Sequence, residues 1–246
     1  MKSLLSFLKG GDEGPSASQI QKAVKQVTEP HGDAAVRMNA ALRLKGWGTR
    51  EAIAGLLRRF TIQTSSGAVD LEECQETEQM LIELGQPAVE PILAFLGREE
   101  AVAYPARALE KILQREEFVG RILGVLEKLE AGFASAGEQR AGLIRALDEI
   151  DDPRIAPGVA RFLGDPDDDV ANAAIGCLAL AKDPAFRDDL IRALLTTADR
   201  PRVRREAAEK LAILGWSLED RRKEVASALP PGFRLDRAGK VIATGD

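Results

Sequence analysis

The sequence predicts an all-α fold: a right-handed α-solenoid of about six helix pairs, followed by a small C-terminal β-hairpin. The chain has 37 Ala and 30 Leu among its 246 residues, and both are strong helix formers. Apolar residues recur with helical spacing from about residue 17 to about residue 229. One leucine position also recurs about every 33 residues, which indicates a stacked repeat.

Residues 1–16 are predicted to be a flexible segment that contains a short amphipathic stretch. The Gly- and Pro-containing run at residues 10–16 is typical of a tether. If the preceding stretch forms a helix, its apolar side carries Leu4, Leu5, Phe7 and Leu8. Three docking places stay open for this side: the first helix pair, a groove on a partner, or an anionic membrane surface.

Each repeat is predicted to contain two helices, and we call the one with the recurring leucine the anchor helix. The anchor leucines are Leu44, Leu81, Leu109, Leu147, Leu178 and Leu211. The other helix of a pair often opens with proline, as at Pro87, Pro153 and Pro184, where the missing N–H breaks no hydrogen bond. We expect residues 17–229 to form one solenoid, because a single pair cannot bury its apolar face alone.

The last segment, residues 230–246, is predicted to form a hairpin. Residues 233–236 and 240–243 alternate in polarity, and Gly239 between them can adopt a positive φ. A solenoid leaves an apolar end that needs a cap. We expect the hairpin to cover that end with Phe233, Leu235 and Val241.

Two segments of the chain share one pattern. Residues 36–44 and 203–211 both read V-R-x-x-A-A-x-x-L. Together with the junction at residues 84–89, this pattern resembles HEAT repeats, most closely the short bacterial kind first described in phycobilisome lyases. The resemblance covers roughly residues 33–228.

The resemblance implies a ladder of ion pairs between successive repeats. In such repeats, an Asp in the turn often pairs with the Arg of a neighbouring Val-Arg motif. The candidate acids are Asp33, Asp169 and Asp199, and the candidate bases are Arg37 and Arg204. Ala171 interrupts the pattern.

Four local positions carry further predictions. Pro105 lies in an anchor helix and should kink it. Asp168 or Asp169 is expected to cap the next helix rather than to help bind a cation, since the turn lacks the spacing of a calcium loop. Thr49 and Asp70 are predicted to be N-caps.

Composition argues against several classes of protein. The net charge of −5 and the aromatic content of 4% speak against nucleic acid binding. One histidine, His31, and two widely separated cysteines make a transition-metal site improbable. The apolar runs are too short to span a membrane, so the expected compartment is the cytoplasm.

Neither cysteine is predicted to be a nucleophile. Cys177 lies among small residues and is expected to pack in the core. Glutamates flank Cys74 and disfavour its thiolate. The basic residues from Arg200 to Lys223 alternate with acids, which is typical of a solvated helix face, although contact with an acidic partner is an alternative.

The sequence favours a non-catalytic scaffold or adaptor that needs no cofactor and binds a protein partner. The concave surface would be lined by the second helix of each pair. The exposed residues predicted there are Asn39, Arg43, Gln79, Arg107, Lys111, Arg145, Asn172, Arg205 and Glu209. By resemblance, the alternative is a lyase or chaperone-like protein for a tetrapyrrole (bilin) cofactor, but one His and one Tyr offer little acid–base chemistry.

Overall fold

The computed structural model describes residues 14–129 and 136–244. Over these residues, the chain forms thirteen α-helices and one two-stranded antiparallel sheet, which confirms the all-α class and the hairpin. The predicted apolar stretch at Leu4, Leu5, Phe7 and Leu8 lies outside the described residues. The chain divides into two compact units between Phe95 and Leu96.

The first unit is built from five helices. They are α1 (Ala17–Val27), α2 (Ala34–Trp47), α3 (Arg50–Leu57), α4 (Gly67–Leu84) and α5 (Gln86–Leu96), the last of which ends at the unit boundary. Helix α1 packs against α2 and α3, and α4 also contacts both of them. The anchor helices of this unit are α2 and α4.

The second unit contains eight helices and the hairpin. The helices are α6 (Ala103–Ile112), α7 (Arg115–Lys128), α8 (Gly137–Arg145), α9 (Ile155–Val159), α10 (Asp168–Ala181), α11 (Arg187–Thr196), α12 (Pro201–Leu214) and α13 (Arg222–Ala228). Each anchor helix packs against the next, in the order α6, α8, α10 and α12. In the other layer, α7 contacts α9 and α11 contacts α13.

The anchor leucines are buried as the repeat predicts. All six are at most 1% exposed. Five lie within α2, α4, α6, α10 and α12, and Leu147 follows the end of α8 by two residues. Burial of one such side chain stabilises the fold by about 1.5–3 kcal/mol, so the recurring leucine accounts for much of the packing between neighbouring helices.

The predicted ion-pair ladder is wrong in its partners in the first unit. Arg37 Nη2 lies 2.9 Å from Glu73 Oε1 on α4, and both side chains are buried. Glu73 Oε2 lies 2.6 Å from Arg59 Nε, so one carboxylate serves two guanidinium groups. The expected acid, Asp33, instead caps α2 by accepting a hydrogen bond from the Ala35 amide at 2.7 Å.

The ion pairs of the second unit also differ from the predicted ladder. Arg140 Nε lies 3.0 Å from Asp165 Oδ2, and both side chains are almost completely buried. Arg204 donates a hydrogen bond to the carbonyl of Ala228 instead of pairing with an acid. Asp169 pairs with the exposed Arg202 at 2.9 Å. Asp199 makes no ion pair within the described residues.

Three of the local predictions need correction. Pro105 is the third residue of α6, where its missing N–H costs no helical bond, so the expected kink has no preceding turn to bend. Asp167, not Asp168 or Asp169, caps α10, by accepting from the Asp169 amide at 2.8 Å. Asp70 lies within α4, whose cap is the side chain of the residue four positions before it.

The prediction that Thr49 is the N-cap of α3 is confirmed. Its hydroxyl accepts a hydrogen bond from the amide of Ala52 at 3.2 Å. This bond satisfies one of the amides that the first turn of a helix leaves without an intrahelical acceptor.

The hairpin pairs β1 (Phe233–Leu235) with β2 (Val241–Ala243) and packs on the last helix pair. Val241 is buried, and strand β2 contacts α12 while β1 contacts α13. Gly239 has φ of +73° and accepts a hydrogen bond from the Leu218 amide at 2.8 Å. A Cβ at Gly239 would lie 2.9 Å from the backbone nitrogen of Glu219, so this close approach also requires glycine.

Candidate functional site

All six predicted partner-binding residues of the second unit lie on its layer of anchor helices. Helix α6 carries Arg107 and Lys111, α8 carries Arg145, α10 carries Asn172, and α12 carries Arg205 and Glu209. Because each of these helices packs against the next, the layer is continuous. Its residues at equivalent positions therefore form rows across neighbouring helices.

The predicted residues fall in such rows. Arg107, Arg145 and Glu209 each lie two residues before an anchor leucine, and Asn172 and Arg205 each lie six residues before one. Positions four residues apart share a helix face, so the two rows lie side by side. We call these five residues, together with Lys111, the anchor-face row.

The anchor-face row is mainly basic and solvent-exposed. Arg107, Lys111, Arg145 and Arg205 are exposed. Asn172 and Glu209 are half-buried, which corrects the prediction that they are exposed. The amide oxygen of Asn172 is buried and accepts no hydrogen bond from the described part of the chain.

Aromatic rings support two arginines of the row. The Arg107 guanidinium lies 4.5 Å from the centroid of the Tyr104 ring. The Arg205 guanidinium lies 5.7 Å from the Phe233 ring and donates to Glu209 Oε1 at 3.0 Å. A cation over an aromatic face is held in place by the quadrupole of the ring. These contacts orient the two guanidinium groups without burying them.

Among the described residues of the second unit, two large apolar residues that sequence reasoning did not select are exposed. The exposed fractions are 54% for Leu180 on α10 and 75% for Ile213 on α12. Each lies two residues after an anchor leucine, so the repeat register was the signal that could have found them. Ile213 borders an open groove of about 730 Å³ between α12 and the hairpin, together with Arg205, Glu209 and Phe233.

The remaining candidates lie in the first unit, on its anchor helices. Asn39 and Arg43 on α2 and Gln79 on α4 are all exposed, as predicted. Arg43 Nη2 donates to the side chain of Gln26 at 2.5 Å, and Gln79 Nε2 donates to Glu83 Oε1 at 3.1 Å. Their contact with a partner stays a prediction.

Both cysteines are held in the protonated form. Burial, and to a lesser extent the carboxylate of Asp148, raises the pKa of the Cys177 thiol well above its ordinary range. Cys177 Sγ lies 3.2 Å from Asp148 Oδ1. Burial is also the main cause that raises the pKa of Cys74, with Asp70 and Glu73 adding to it. Neither environment activates a nucleophile.

The described residues form neither a metal site nor a membrane-spanning helix. Among residues 14–129 and 136–244, no three His, Cys, Asp or Glu side chains are grouped so that they could hold a metal ion. No helix in these ranges has the length and apolar character needed to cross a bilayer.

Part of the second unit matches the sequence profile of a known family. The sequence profile of the family described as HEAT repeats matches residues 125–212 and residues 157–229. Residues 125–229, which we call the HEAT segment, are therefore similar to HEAT repeats. The matched HEAT segment includes α8 to α13, and therefore Arg145, Asn172, Arg205 and Glu209 of the anchor-face row. Similarity to the phycobilisome-lyase kind of HEAT repeat stays a prediction. No curated protein and no solved structure matches the chain.

Proposed function

We propose that this protein is a non-catalytic scaffold or adaptor that binds a protein partner through the anchor-face row. HEAT repeats often mediate protein–protein interaction, and the profile match supports this class of function. The observation that carries the proposal is the row itself. Polar residues that are exposed or half-buried occupy one of two repeat positions on each anchor helix from α6 to α12, while the leucines beside them are buried.

The proposal includes the stacking of the helix pairs into a right-handed solenoid. Stacked repeats create extended surfaces that suit a protein or a peptide, because each repeat contributes a few side chains at a regular spacing. Arginines held at fixed places are frequent in the energetically important part of protein interfaces. The row has two such arginines, Arg107 and Arg205, each placed against an aromatic ring.

Charge reversal on the row tests the proposal. The full chain would be used to capture proteins from the cells that make it, next to a triple variant, Arg107→Glu, Lys111→Glu and Arg145→Glu. The matched control reverses three exposed cations on α7 of the other layer: Arg115→Glu, Arg121→Glu and Lys128→Glu. Mass spectrometry would identify what each chain retains.

The expected result is a partner that the control variant retains and the row variant loses, with equal thermal melting of the two variants. Equal retention by both variants would contradict the role of the row. If the chain changes the absorbance of an added bilin, the alternative of a tetrapyrrole lyase or chaperone gains over the scaffold.

A further inference from the structure

A second groove of the HEAT segment lies between two successive inter-helix turns. The turn that joins α8 to α9 forms one wall, and the turn that joins α10 to α11 forms the other. Its volume is about 430 Å³. Part of its lining is apolar, including Ile150, Ile155, Cys177, Leu180 and Phe186. We call it the turn groove.

Leu180 gives the turn groove an accessible apolar surface. Its side chain is 54% exposed, whereas the anchor leucine two residues before it, Leu178, is completely buried. Ile150 and Phe186 beside it are half-buried. Surface leucines are common singly, but here several apolar side chains share one concavity, which is the usual character of a binding site.

Carboxylates dominate the rim of the turn groove. Glu149, Asp151, Asp152 and Asp183 line it, and Lys182 is the one cation among the lining residues that the structure describes. Arg154 neutralises Asp152, with Nη2 2.6 Å from Oδ2. Within the described ranges, Glu149 and Asp151 form no ion pair and are exposed, so the rim keeps a negative charge.

The groove beside Ile213 differs in this respect. There, the Arg205–Glu209 pair places one positive and one negative charge at the lining. The two grooves share an exposed apolar side chain at the same repeat position, but only the turn groove has an excess of acids. A basic ligand would therefore favour the turn groove over the groove beside Ile213.

We propose that the turn groove binds a partner segment in which a large apolar side chain is flanked by lysines or arginines. The apolar side chain would pack on Leu180, and the flanking cations would face Glu149 and Asp151. Charges at the rim of an apolar site mainly set which partner is accepted and how fast it associates. The inference rests on the proposed function, because it names the chemistry of one partner surface of the scaffold.

The probe is a fluorescein-labelled synthetic peptide, Gly-Lys-Lys-Phe-Leu-Lys-Lys-Gly, titrated with the full chain and followed by fluorescence anisotropy. Two control peptides replace either the four lysines by glutamates or the Phe-Leu pair by two serines. The chain variants are Leu180→Ser and Asp151→Lys. Their matched controls are Ile213→Ser, at the equivalent position of the next repeat, and Asp199→Lys, at an exposed acid that lines neither groove.

We expect Leu180→Ser to weaken binding of the basic peptide by about tenfold or more, as for a central residue of an interface. Asp151→Lys should also weaken it, because a repulsive charge replaces an attractive one at the rim. The two control variants should bind as the unaltered chain does, and neither control peptide should bind. Added salt should weaken binding, because the rim charges are exposed. All four positions are exposed or half-buried, so thermal melting should stay unchanged.

Three results would overturn the assignment of the turn groove: equal binding of the acidic peptide, equal binding by the Leu180→Ser and Asp151→Lys chains, or no binding of the basic peptide. These failures are distinct from failure of the scaffold proposal. Charge reversal on the anchor-face row can abolish partner capture even when the unaltered chain does not bind the basic peptide. In that case the scaffold proposal stands and only the assignment of the turn groove fails.

Discussion

Arg140 and Arg37 occupy the same place in the repeat and have the same kind of partner. Each lies seven residues before an anchor leucine, Leu147 for Arg140 and Leu44 for Arg37. Each is buried and pairs with a buried acid later in the chain, Arg140 with Asp165 and Arg37 with Glu73. The repeat thus has a basic position that ties one helix pair to the next.

Breaking the Arg140–Asp165 pair should cost much more stability than breaking an exposed pair. We expect Arg140→Met to lower the free energy of unfolding by about 3–5 kcal/mol, because Asp165 would keep a buried, uncompensated charge. The matched control is Arg202→Met, which breaks an exposed pair with Asp169 and should cost about 0–1 kcal/mol. Urea denaturation followed by circular dichroism measures both. Equal losses would show that Arg140 does not tie the repeats.

Asp70 should make the stability of the first unit depend on acid pH. Desolvation alone would raise its pKa, but hydrogen bonds from Arg59 and from the Thr64 amide outweigh it and hold the pKa of Asp70 below the ordinary value of 3.8. A carboxylate with a lowered pKa stabilises the fold above its unfolded pKa, and this contribution is lost as the pH falls through the folded pKa.

The free energy of unfolding should therefore fall progressively below about pH 5, and it should fall less steeply in Asp70→Asn. Urea denaturation at several pH values measures the slope. Glu72→Gln, an exposed change on α4, is the control and should keep the slope of the unaltered chain. A slope in Asp70→Asn that equals the control would assign the acid sensitivity to other carboxylates.

The anchor leucines should be much less tolerant than their exposed neighbours. Leu211→Ala should lower the free energy of unfolding by about 2–5 kcal/mol, because it removes a buried side chain and leaves a cavity. Ile213→Ala on the same helix should change it by only about 0.5 kcal/mol, since Ile213 is exposed. Thermal melting of the two variants decides whether burial follows the repeat as we describe.

The hairpin should stabilise the end of the second unit. Deletion of residues 230–246 removes Val241 from α12 and the carbonyl of Gly239 from the Leu218 amide. We expect a lower melting temperature or self-association, because the deletion uncovers apolar surface. Size-exclusion chromatography with light scattering and a thermal melt measure the two effects. A truncated chain that stays monomeric and melts unchanged would mark the segment as a tail for a partner.

Sequence reasoning recovered what depends on local periodicity. The burial of the six anchor leucines, the cap at Thr49 and the turn at Gly239 all follow from spacing within a few residues. The exposure of most candidate residues follows from the same kind of spacing, since a residue two positions before an anchor leucine points away from the core. Leu180 and Ile213 lie two positions after an anchor leucine and are exposed as well, but the set of candidate residues held only polar side chains.

The sequence by itself determined the helical repeat, its anchor positions and the hairpin, because the spacing of apolar residues along the chain decides which side of an element is buried. Only the tertiary structure decided which charges meet. Arg37 pairs with Glu73 and not with Asp33, which is nearer to it in the sequence. In the HEAT segment, the buried acid is Asp165 and not Asp169. An ion pair needs two atoms within about 4 Å, and that distance depends on how neighbouring helices are placed, which spacing along one chain does not specify.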